Sequence, residues 1–117
     1  MDTVINIIVE NQQPISIPFE DFIARSQTFR KEAFNNQFQK DIKYDNKIEY
    51  DSFVQFAKAI QKQEPTITDD NVYGYDLLCD QWSVDEGVRK YADDYLKENK
   101  QKLLIPHILF ELNHDKD

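Results

Sequence analysis

The chain has little of what staples, hinges or anchors a protein. A single Cys in 117 residues excludes an intramolecular disulfide framework and a thiolate zinc cluster, and fits a reducing compartment. The two Gly, at positions 74 and 87, leave no Gly-rich phosphate loop. Four Pro are scattered, and no Gly/Ser- or Pro-rich stretch divides the sequence, so one domain is expected. No apolar run approaches the roughly 18 residues of a membrane span, and no basic segment leads into an apolar signal region. The expected setting is cytoplasmic, with the nucleus as the alternative. Positive charge is also short: 14 Lys and Arg stand against 22 Asp and Glu, for a net charge of -8. That balance opposes binding to nucleic acid or an anionic membrane, because phosphate contacts would begin from repulsion.

What is present is apolar and aromatic. Hydrophobic residues make up 40% of the chain, with eight Phe, six Tyr and one Trp, too many for a disordered acidic tail. A chain of this length can enclose one core. The acidity is uneven. Residues 1–63 carry 9 acids and 8 bases, whereas residues 64–98 carry 10 acids and 3 bases. Asp69, Asp70, Asp76 and Asp80 open the acidic stretch. It reads either as the solvated faces of helices with acids near their N-termini, or as a docking surface that lets the chain act as an inhibitor or mimic toward a basic partner.

Hydrophobic periodicity supplies the elements. Thr3 to Val9 is β-branched and apolar on both faces, as in a strand with little solvent on either side; Ile15, Ile17 and Phe19 alternate with polar residues and Pro. Together they read as a β-hairpin. Phe22, Ile23 and Phe29 then fit a short helix, a break near Ser26, and a second helix over Gln27 to Phe38 capped by Ser26. At least one of 42–44 and 48–50 is a short strand. Phe53, Phe56, Ala57 and Ile60 mark a helix behind Asp51-Ser52 that Pro65 is expected to end. Asp69-Asp70-Asn71 can cap a helix running to Trp82. Ser83 and Glu86 have capping-box spacing before a helix with Val88, Tyr91, Ala92, Tyr95 and Leu96 on one face. An apolar segment from Leu103 to Leu112, with Pro106 as a favourable first-turn residue, completes the pattern. Early strands and late helices predict an α+β fold, a small sheet packed on a cluster of helices.

The segment Phe19 to Phe34 resembles the signature of the BTB/POZ superfamily, in which a strand leads into a helix ending in an L-A-x-x-S-x-x-F phrase. Ile23-Ala24-Arg25-Ser26 with Phe29 supplies that phrase. Asn71 to Leu96 resembles the family's closing helical hairpin, with Trp82-Ser83-Val84 as the connection and Tyr95-Leu96 as the terminal aromatic-Leu pair. The likeness covers residues 3–98 and extends to adaptors of the Skp and elongin C type. Glu20-Asp21 stand where many members have a His, a departure from the transcription-factor-like branch. The resemblance implies a BTB/POZ-like domain over residues 1–98 and a non-enzymatic adaptor or scaffold that binds other proteins; the apolar stripe of the 99–117 tail is expected to dock on this domain, with contact to another chain as the alternative.

No catalytic constellation accompanies this reading. Cys79, between Leu78 and Asp80, is expected to be a buried, inert thiol. His107, Glu111 and His114 share a helical face but sit near a terminus, and no metal or cofactor is expected. Ser26 has no neighbouring base. The candidate partner-binding residues are Phe34, Gln37, Phe38, Leu104, Ile108 and Phe110. In the resembled family the position after the second helix is where cullin adaptors present an apolar residue followed by an acid. Here Asn35-Asn36-Gln37 lacks the acid, so a substrate adaptor of a cullin-type ubiquitin ligase is the alternative role. As plain packing, Phe34 would be core and Phe38 either core or surface. The expected assembly is a monomer or a homodimer without strand exchange.

Overall fold

The computed structural model describes residues 3–99 together with Phe110 and Leu112. The elements follow in the order β1 (Val4–Val9), β2 (Ile15–Pro18), α1 (Phe19–Arg25), α2 (Gln27–Phe34), β3 (Asp41–Tyr44), α3 (Tyr50–Ile60), α4 (Val72–Trp82) and α5 (Glu86–Glu98). Over residues 3–99 this is an α+β arrangement of a three-stranded mixed sheet and five helices.

β1 is the central strand. It pairs antiparallel with β2, Ile5 opposite Ile17, and parallel with β3, Ile7 opposite Ile42. The hairpin turn places Asn11 at φ 65°, a left-handed conformation that Asn tolerates better than most residues. Parallel pairing with β3 requires a crossover, and α1 and α2 provide it. One face of β1, with Ile5, Ile7 and Val9, is fully covered. The other face is more open than two-sided apolarity suggests: Val4 is exposed, and Asn6 lies half-buried within hydrogen-bonding reach of Asp41 and Ser16.

The helices close over that covered face. α3 contributes Phe53, Phe56 and Ile60, α4 contributes Tyr75, Leu78 and Cys79, and α5 contributes Val88 and Ala92. α3 and α4 approach closely at Gly74, where an added Cβ would overlap Ser52 and lie 2.7 Å from Ile48 Cγ2. Glycine is needed there for space, not for backbone freedom.

Several expected boundaries shift. α2 ends at Phe34 rather than Phe38, because Asn36 turns left-handed at φ 57° and donates its N–H to Ala33 O at 3.0 Å. The 48–50 segment is no strand; Tyr50 already opens α3. Pro65 does not end α3, which stops at Ile60, with Lys62 at φ 64° behind it. Ser83 does not start α5. It ends α4 in the left-handed conformation, and Asp85 is the cap, accepting the Val88 N–H at 3.1 Å. Asp85 competes with Ser83 for the same role, and the tight turn after Trp82 decides it.

The two helix breaks lock onto each other. Ser26 forms an antiparallel bridge with Val84. Gln27 N–H donates to Ser83 O at 3.1 Å and Asp85 N–H to Arg25 O at 3.1 Å. Ser26 Oγ, fully buried, accepts from Phe29 N–H at 3.0 Å and donates to Trp82 O at 2.5 Å. The serine of the Ile23–Phe29 phrase thus caps α2 and ties it to the α4–α5 turn.

Candidate protein-interaction surface

The latch fixes the rotation of α2, and that rotation decides which aromatic rings are inside. Phe29 stacks on Phe22 with centroids 4.4 Å apart and meets Trp82 edge-on at 6.3 Å. At 100° per residue, Phe34 lies five positions and well over a third of a turn away from Phe29. It projects outward with 90% of its surface exposed. Contrary to the packing expectation, Phe34 is not a core residue.

Phe34, Arg30, Lys31 and Asn35 line a shallow depression of about 270 Å³. Arg30 is held in place: its Nε donates to Ile23 O at 3.0 Å and its Nη2 to Ala24 O at 3.2 Å, which occupies carbonyls at the end of α1. The exposed ring is therefore rimmed by two cations on an otherwise acidic chain. Sequence reasoning did not single out Arg30 and Lys31, although they stand four and three residues before Phe34, the spacing of neighbours on a helix face.

Phe38 and Gln37 do not join this depression. Phe38 folds back half-buried, its ring 5.0 Å from Phe19 and 5.7 Å from Phe29. Gln37 lines a separate recess of about 230 Å³ with Glu32, Gln39, Ile42, Gln81 and Trp82. In that neighbourhood Trp82 Nε1 donates to Tyr44 Oη at 3.0 Å, and Tyr44 Oη donates to Gln81 at 2.9 Å. Burial raises the Tyr44 pKa, partly offset by these two hydrogen bonds.

The acidic residues are partly engaged within the fold. Asp69 is hydrogen-bonded by the Tyr95 hydroxyl, and Asp80 pairs with Arg89 at 2.7 Å. Asp76 is half-buried and Asp70 is exposed. Acids sit at the start of α5, as dipole complementarity favours, but Asp76 and Asp80 lie in the middle and late turns of α4. The Asp69 contact, followed by burial, holds the Tyr95 hydroxyl up at a pKa of about 12.

Of the tail candidates, Leu104 and Ile108 lie outside the described residues, as do Leu103, Ile105, Pro106, His107, Glu111 and His114. Phe110 is half-buried with its ring 5.4 Å from that of Tyr73 on α4, and Leu112 is exposed. Cys79 is buried, and desolvation pushes its thiol well above the ordinary range, which leaves it protonated and unreactive at neutral pH. Among the described residues no cluster of His, Cys, Asp or Glu could hold a metal, and no helix is long and apolar enough to cross a membrane.

Compared with known proteins, the chain matches no protein-family model and no curated sequence.

Proposed function

We propose that the protein is a non-enzymatic protein-interaction module of BTB/POZ-like architecture, acting as an adaptor or scaffold that docks partners on the end of α2. The observation that carries this is the exposure of Phe34, a large ring left in solvent at 90% while its helix is fixed by buried hydrogen bonds. A rigidly presented aromatic with cationic neighbours is the composition of an interface anchor, in which the ring fills a pocket and charges at the rim set specificity. The complementary partner surface is an apolar socket with an acidic edge. The order of elements and the parallel β1–β3 pairing support the architectural part of the reading.

A second reading, substrate adaptor of a cullin-type ligase, is favoured by the position of Phe34 at the very end of the second helix. Its partner would have to accept Asn35-Asn36-Gln37 in place of an acid. Either way the test is the same. Wild-type and Phe34→Ser chains, shown to melt alike, are immobilised and exposed to one extract of the source cell. A partner held by the wild type and lost from Phe34→Ser supports the reading, and a cullin among the lost proteins selects the second. Equal retention of every bound protein counts against both. Light scattering of the two chains covers the remaining partner, a second copy of this chain.

A further inference from the structure

We propose that the recess between the end of α1, the end of α3 and the start of α5 is a binding site for a phosphoryl group. The recess, about 270 Å³, is lined by Arg25, Lys62, Gln63, Gly87, Lys90 and Tyr91. It lies just under the roughly 300–1,000 Å³ of small-molecule pockets. Three cations reach it from α1, the turn after α3, and α5, on a chain whose net charge is -8. Diffuse basicity cannot explain that convergence. It shares no lining residue with the depression around Phe34, so this inference stands apart from the docking role.

Arg25 carries the argument furthest. Its Nη1 is 3.5 Å from Asp85 Oδ1, an oxygen that also accepts the Val88 N–H. Its Nε is buried with no hydrogen-bond acceptor among the described residues, so Asp85 is the one ion-pair partner that they give this guanidinium. Neither Lys62 nor Lys90 forms an ion pair among the described residues. Setting Asp85 against Arg25, Lys62 and Lys90 leaves two uncompensated positive charges, which suits a dianion better than chloride or a single carboxylate. A guanidinium offers phosphate paired, planar donors, and lysines add point charges. Gly87 keeps the approach clear, since a Cβ there would stand 3.2 Å from Arg25 Nη1.

The test is a titration of the full chain with inorganic phosphate, and separately with O-phosphoserine, followed by backbone amide shifts at ionic strength held constant with chloride. Saturable shifts at Arg25, Gln63, Gly87 and Lys90 are expected. They should weaken by at least about tenfold in Lys62→Glu/Lys90→Glu, two exposed positions, with thermal melting run beside the titration to show that the double variant is folded. The tighter of the two ligands shows whether the site takes free phosphate or a phosphorylated side chain. Shifts that chloride alone reproduces, that fail to saturate with either ligand, or that persist unchanged in the double variant overturn the proposal.

Discussion

Phe29 and Phe34 stand five residues apart on one short helix and occupy opposite environments, 0% and 90% exposed. Both are the same side chain in the same local structure, so propensity cannot account for the contrast. The difference lies in what holds the helix. At its start, Ser26 and the Trp82 carbonyl fix the phase of α2 and turn Phe29 into a cage with Phe22, Phe19 and Trp82. At its end, Phe34 lies about 140° around the helix from Phe29, on the side turned away from the core. One ring serves the fold and the other is left to a partner.

Substitutions can break that contrast, and their expected effects fall in order. Phe29→Ala should cost the most, about 3–5 kcal/mol, because it empties a fully buried aromatic site. In a domain stabilised by some 5–15 kcal/mol this leaves a partly unfolded population, visible as a lower denaturation midpoint by circular dichroism. Ser26→Ala should cost about 1–3 kcal/mol, since it removes the α2 cap and strands the Trp82 carbonyl. The single Trp reports this loss directly in its fluorescence. Gly74→Ala should cost a similar or smaller amount, about 1–3 kcal/mol, by forcing α3 and α4 apart at Ser52 and Ile48. Phe34→Ser should change stability by less than about 0.5 kcal/mol and yet abolish partner capture. A large loss of stability in that variant would mean Phe34 belongs to the core after all.

The last effect is one of pH. The Tyr95 hydroxyl, hydrogen-bonded to Asp69, has its pKa raised from the ordinary value of about 10 to about 12. A group whose pKa is raised by folding stabilises the fold fully below its unfolded value and loses that contribution as pH climbs through the folded one. Melting temperature should therefore fall between about pH 10 and 12, and Tyr95→Phe should flatten the decline by one group's share. Buried Tyr75, whose pKa is raised by desolvation, keeps part of the slope in both proteins. Identical slopes would show that the Tyr95–Asp69 contact has no weight in solution.

Much of this architecture was legible from residue spacing. Alternation at Ile15 and Ile17 marked β2, and the i, i+3, i+4 rows at Phe53 to Ile60 and Val88 to Ala92 marked α3 and α5. The parallel partner of β1 was not legible, because a crossover pairs strands through tertiary packing that leaves no local trace. Capping chemistry misled at Ser83, where two adequate caps stood two residues apart and turn geometry chose between them. The position of Phe34 was read, but its exposure was not. An extended α2 makes it one apolar residue among several, and only the left-handed Asn36 cuts that helix short. The cationic recess joins residues 25, 62 and 90, a grouping that exists only once three elements meet.

The most direct measurement places a photo-crosslinking side chain at position 34, and in a control chain at exposed position 13, and irradiates both in the same cell extract. The account predicts a discrete crosslinked species from position 34 alone, competed away by excess wild-type chain and untouched by excess Phe34→Ser. No product from position 34, or the same products from both positions, would contradict it.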